Sequence, residues 1–290
     1  MTITRASVGE PQPQGRATHS RWALTRTDLL VTAAALMLLA SLLTGAGKPA
    51  NARTAGCLSN LRKFADAMAL YAEDNRGFYP GNLDDLSVGR NWISGFAGTD
   101  GPDFGNEAIL SDPKSSLLGS YLQGLLKVFR CPANRVTQRV NGRSVPQARN
   151  YSLNGAVGTN PGRPGKVAVD GPWLDGVHGH TLGRTWHTYS GPASVVAPGP
   201  AQLFTFVDED PYSVNDGSFA MTMVNAEWLD WPASLHEGGG TFAFADLHVD
   251  HRRWQDSRTK VTGTSVIRRP VPNSPDHLWL QQRTSAKIQL

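Results

Sequence analysis

Two cysteines, Cys57 and Cys131, an acidic run and a histidine-rich segment hold the side chains whose chemistry could build a site. Two cysteines so far apart make no zinc-like Cys-x-x-Cys pairing. The acids Asp208, Glu209, Asp210 and Asp216 fall within nine residues, in "VDEDPYSVNDG". Calcium takes such oxygen-rich loops. However, the spacing departs from D-x-[DN]-x-[DN]-G, with Tyr212 in the fifth place. A turn in which Asp208 and Asn215 bond their own backbone is the reading adopted. His236, Asp246 and His248 lie in "LHEGGGTFAFADLHVDHRRW". Asp246 and His248 are two apart and share a strand face. A hairpin whose polar residues bond one another is the reading taken, with His236, Asp246 and His248 as an alternative metal trio. No catalytic residue is assigned: the chain has no G-x-S-x-G, Walker A, H-E-x-x-H or G-x-G-x-x-G. Ser213 and Ser234 lie near acids and His236, but a triad is a matter of geometry. Trp228, Trp231 and Trp254 could line a sugar site, but core packing is the commoner use of tryptophan.

These residues need elements to position them. From Leu29 to Gly47 the chain has nineteen residues without a charge, enough to span a bilayer core. Arg5, Arg16, Arg21 and Arg26 precede it, which predicts a cytoplasmic N-terminal side and an exported remainder. Beyond Pro49, Leu58, Leu61, Ala65, Met68 and Ala72 recur at helical intervals, and Gly77 and Pro80 end the pattern. With a net charge of +4 spread over both ends, no basic stripe suits nucleic acid. Outside the inner membrane the compartment is oxidising, so a Cys57–Cys131 bridge is expected. It would close a loop of about 75 residues and contribute roughly 4 kcal/mol on the chain-entropy view.

The segment "ALTRTDLLVTAAALMLLASLLTG" resembles the N-terminus of type IV pilins and type II secretion pseudopilins. The resemblance implies cleavage by a prepilin peptidase between Ala23 and Leu24. It also implies a retained, N-methylated helix in which Asp28, the fifth mature residue, sets filament register. A carboxylate deep in a bilayer costs about 2.5–3.5 kcal/mol. The new α-amine of Leu24 would offset that cost. Ala23 stands where glycine is usual, Asp28 where glutamate is usual, and Arg26 adds a charge. The segment "CLSNLRKFADAMALYAEDNRGFYP" resembles the stretch just after the anchor in pseudopilin-like proteins. His236, nine residues, then Asp246 resembles their "His, nine residues, Asp-Gly" signature, with Leu247 in place of the glycine. Some pseudopilins bind calcium, which the resemblance leaves possible here; otherwise no cofactor is expected.

The expected fold is α+β: a long N-terminal helix, half transmembrane and half amphipathic stem, packed on a small antiparallel β-sheet with long loops. The expected organisation is a leader over 1–23, a transmembrane helix over 24–48, a stem over 49–77 and an exported body over 78–290. As one helix, Leu24 to Asn75 would extend about 78 Å. Strands are expected at Leu203–Val207, Phe219–Val224, Thr241–Phe244 and Val249–Arg253, a helix at Leu117–Val128, and loops from Asn154 to Gly191. The function expected is that of a pseudopilin-like structural subunit of a pilus or type II secretion filament, not an enzyme. It would be single-pass in the inner membrane with its body in the periplasm or on the cell surface. Its partners would be the prepilin peptidase, other pilin-like subunits and the membrane. The alternative is a soluble exported binding or hydrolytic protein, cleaved after Ala52 at the small-residue site Ala50-Asn51-Ala52.

Overall fold

A computed structural model describes residues 31, 52–84, 90–179, 185–261, 263 and 268–289. The leader, Ala23, Leu24, Asp28 and, Val31 apart, the apolar segment lie outside the described residues. Helix α1 spans Ala52–Asp74, 23 residues. Arg76 and Gly77 then take positive φ, 60° and 81°, and turn the chain out of the helix. Among the described residues no helix is long and apolar enough to cross a membrane. The expected long N-terminal helix is thus corrected to this shorter one, inside the boundaries expected for the stem.

The sheet is also corrected. It is five-stranded and mixed, in the order β5-β3-β4-β7-β8, instead of small and antiparallel. Its strands are β3 (Tyr151–Asn154), β4 (Phe204–Asp208), β5 (Ser218–Phe219), β7 (Gly239–Phe244) and β8 (Val249–Arg253). Only β3 and β5 run parallel. Two ribbons flank it: β1 (Thr137–Val140) with β2 (Arg143–Pro146), and β6 (Glu227–Trp228) with β9 (Arg269–Pro270). Among the described residues two further short α-helices follow, α2 (Ala108–Ser111) and α3 (Pro275–Thr284). The helix expected over Leu117–Val128 is absent: the segment is turns, with one 3-10 turn at Leu126–Phe129. Gln123 and Gly124 both take positive φ, which breaks any helix there.

Strand alternation divides the core into two layers. In β7, Thr241 and Ala243 face α1, while Phe242 and Phe244 face the opposite side. In β4, Phe204 and Phe206 belong to different layers although two residues apart. A register shift between Phe204 and Val207 provides the reversal. On the α1 side, Phe64 is fully buried, with the rings of Trp92, Phe129, Tyr151 and Phe206 5.2–5.7 Å from its own. On the other side Trp228, Trp231, Trp254, Phe219, Phe242 and Leu280 form the second layer. The three tryptophans are therefore core.

Candidate metal centre

The register of the sheet builds a polar point inside the first layer. Tyr151 of β3 lies directly opposite Asp208 of β4. Val207 pairs with Phe242, which brings Thr241 of β7 beside Asp208. All three side chains rise toward α1, where Cys57 sits one helical turn after Thr54. The Cys57 Sγ lies 3.0 Å from the Tyr151 hydroxyl, 3.0 Å from Thr241 Oγ1 and 3.5 Å from Asp208 Oδ2. Cys131 enters from the loop after the 3-10 turn. His236 enters from the turn before β7, where Glu237 and Gly238 take φ of 56° and 73°. That pair of left-handed residues lets the chain reverse at once, with mutual backbone bonds between His236 and Gly239.

The His236 Nε2 lies 2.9 Å from Asp208 Oδ2 and 3.1 Å from Cys131 Sγ. Its Nδ1 lies 3.3 Å from Thr54 Oγ1. Asn150 braces the group: its amide donates to Asp208 Oδ1 at 2.6 Å, and its carbonyl oxygen accepts from the Cys131 N–H at 2.8 Å. Cys57, Cys131, Asp208 and His236 are each 0% exposed. Their ligand atoms all lie within 4.8 Å of one another, so the four can hold a metal ion. The bridge expected between Cys57 and Cys131 is not formed; both are free thiols. Their sulfurs are instead turned to the carboxylate, the imidazole and the hydroxyls around them.

Electrostatics follow the same contacts. Burial opposes charge on His236, but hydrogen bonds to Asp208 and Cys131 hold its pKa up to about 10. Burial pushes the Cys57 thiol well above its usual range, helped by Cys131 and by the Asp208 charge. Burial also acts upward on Cys131, but hydrogen bonds from Cys57 and His236 outweigh it and lower that thiol.

The other sequence expectations divide. Asp246 and His248 hydrogen-bond each other at the surface, with side chains 37% and 43% exposed, whereas His236 is sealed inside. The trio His236, Asp246 and His248 is therefore not assembled. Asp246 and His248 bond each other in the hairpin; His236 bonds Gly239 and His251 through its backbone, while its side chain turns inward to Asp208 and Cys131. The turn itself closes on Leu247, which takes φ of 73°, the left-handed place a glycine favours. The acids of 208–216 also part company. Asp208 joins the cysteines, and Glu209 accepts from Ser152 and Ser213, on the opposite sheet face. Asp210 accepts from the Tyr212 N–H and Asn215 from the Asp216 N–H. The expected turn is thus made by Asp210 and Asn215, not by Asp208. Neither grouping gathers the oxygen cage calcium needs. Ser213 and Ser234 direct their hydroxyls to Glu209 and to the Thr259 carbonyl.

Asp216 meets Asp84, Asp230, Trp173 and His178 around a cleft of about 570 Å³. Burial drives Asp216 well above the usual carboxylate range, reinforced by Asp84, and does the same to Asp230, reinforced by Glu209. Sequence reasoning missed this convergence, because Asp84 stands 132 positions before Asp216 and Asp230 lies outside the acidic run. Comparison with protein-family models, curated proteins and solved structures gives no match for this chain.

Proposed function

We propose that the chain is a pilin-like structural subunit, carried on a single N-terminal anchor and processed by a prepilin peptidase. One observation carries the reading. Helix α1 begins at Ala52, five residues beyond the uncharged stretch in the sequence, and packs its apolar face against β4, β7 and β8. A body built this way hangs on the helix next in sequence to the anchor, as a filament subunit requires. The opposite face of α1 exposes Arg62, Leu70 and Glu73, a mixed surface suited to neighbouring subunits. The buried thiols, imidazole and carboxylate support a structural role as well. They are closed to solvent, so no substrate reaches them, and they fasten α1 to the sheet. The body then faces the periplasm or the cell surface, its partners being the peptidase, other pilin-like subunits and the inner membrane.

Asp28 is the register device in this reading, paired with the α-amine that cleavage creates at Leu24. Asp28→Ala tests it in cells: membrane insertion persists while incorporation into filaments is lost. Unchanged assembly of the variant would contradict the proposal.

A further inference from the structure

We propose that Cys57, Cys131, Asp208 and His236 bind one zinc ion as a closed structural site that pins α1 to the sheet. The inference stands on geometry independent of any filament. Four donors from four separate elements converge on one point, though Cys57 and His236 are 179 positions apart in sequence. Zinc bonds of about 2.0–2.3 Å at tetrahedral angles set ligand atoms about 3.3–3.8 Å apart. The separations here run from 2.9 Å through 3.1 and 3.5 Å, with an upper bound of 4.8 Å. For these three pairs, shifts of a few tenths of an ångström reach the tetrahedral separations.

Donor chemistry selects the ion. Two sulfurs exclude calcium and magnesium, which take oxygen, and a tetrahedral S₂NO set suits zinc. Four protein ligands with no exposure leave no open position, the mark of a structural site.

The surroundings complete it. Ligating histidines hold their second nitrogen in a hydrogen bond, and Thr54 Oγ1 stands at His236 Nδ1. Cys57 Sγ has the hydroxyls of Tyr151 and Thr241 within reach, and Cys131 Sγ accepts from the Ala133 N–H at 3.3 Å. Asn150 donates to the free oxygen of Asp208. Binding displaces both thiol protons and the proton on His236 Nε2. It leaves zinc(II) with two thiolates, one carboxylate and a neutral imidazole, a net charge of −1. The hydroxyls of Tyr151 and Thr241, the Ala133 N–H and the Asn150 amide all donate toward the anionic ligands and so compensate that charge.

The test uses the full-length chain, purified in detergent under reducing conditions without added chelator. Elemental analysis is expected to return one zinc per chain. Exchange into cobalt(II) is expected to give the intense visible bands of a tetrahedral thiolate site. Removing metal with a chelator should lower the unfolding midpoint by roughly 10 °C, reversed by zinc and not by calcium. Cys131→Ser and His236→Gln should lose the cobalt bands, while the surface variant His248→Gln keeps them. Because the core variants can fail to fold, the wild-type chain decides. Zinc-supplemented protein that holds no metal and gives no tetrahedral cobalt spectrum overturns the proposal. So does a Cys57–Cys131 disulfide in the folded, zinc-supplemented protein.

Discussion

Phe64→Ala probes the docking of α1 on the sheet. Phe64 is fully buried among four aromatic rings at 5.2–5.7 Å. Truncating a buried Phe costs about 3–5 kcal/mol through lost transfer energy and a residual cavity. Each well-placed aromatic pair adds about 0.5–1.5 kcal/mol beyond area burial. Tyr151 and Phe206 are held on adjacent strands and Trp92 by its bond to the Gly217 carbonyl, so collapse into the gap is limited. We therefore expect a loss near the middle of the range or above, about 4 kcal/mol. With a urea slope of about 2.5 kcal/mol/M, the midpoint falls by about 1.6 M. Tryptophan fluorescence of the full-length chain in mild detergent reads this, since Trp92 touches the Phe64 ring. Leu70→Ala is the control: it lies on the same helix but is 50% exposed, and should cost under about 0.5 kcal/mol. Equal, small losses for both substitutions would refute the claim that α1 presents the Phe64 face to the sheet.

Other expectations are more local. Asn150→Ala should cost about 3 kcal/mol in the same urea assay, because it leaves the Cys131 N–H and an oxygen of Asp208 without their buried partner; a loss below about 1 kcal/mol would mean that Asn150 does not brace the centre. Leu247→Gly should change stability by less than about 1 kcal/mol, since relief of about 1–2 kcal/mol of left-handed strain offsets the lost packing of a half-buried side chain; Leu247→Val keeps the strain and should be the worse variant by thermal melting. Asp216 and Asp230 have raised pKa values when folded, so the folded chain keeps protons that the unfolded chain releases above about pH 4. Stability attributable to them is present below the unfolded value and falls as pH rises toward the folded values. Asp230→Asn should flatten that decline and raise the melting temperature at pH 7; an unchanged pH slope would contradict the assignment.

Periodicity along one segment was legible, and convergence between segments was not. The three- and four-residue spacing from Leu58 to Ala72 marks α1, and the strand expected at Val249–Arg253 is β8 at its observed limits. The strand expected at Phe219–Val224 shrinks to Ser218–Phe219, because its parallel partner β3 ends at Asn154, opposite Phe219. β3 alternates apolar and polar over Tyr151-Ser152-Leu153-Asn154, but the run is only four residues long and its polar members Ser152 and Asn154 are wholly buried. The β1–β2 ribbon turns on Asn141-Gly142 at positive φ, a hairpin signal present in the sequence and not used. At Leu117–Val128 the apolar content suggests helix, yet a side chain at Gly119 would meet the Leu110 carbonyl at 2.4 Å. That close approach belongs to the tertiary fold and leaves no local trace. Each member of the buried centre stood out by residue type. Cys57 and Cys131 read as a bridge, Asp208 as part of an acidic turn and His236 as a hairpin residue, because spacing groups near neighbours. Cross-strand register, Tyr151 against Asp208 and Val207 against Phe242, is what regroups them.

The mature N-terminus tests the proposed function most directly. Mass spectrometry of the N-terminal peptide, from protein isolated from cell membranes, should show a chain beginning at Leu24 with a methylated α-amine. A chain beginning at Arg53, freed from the apolar segment, would contradict the account.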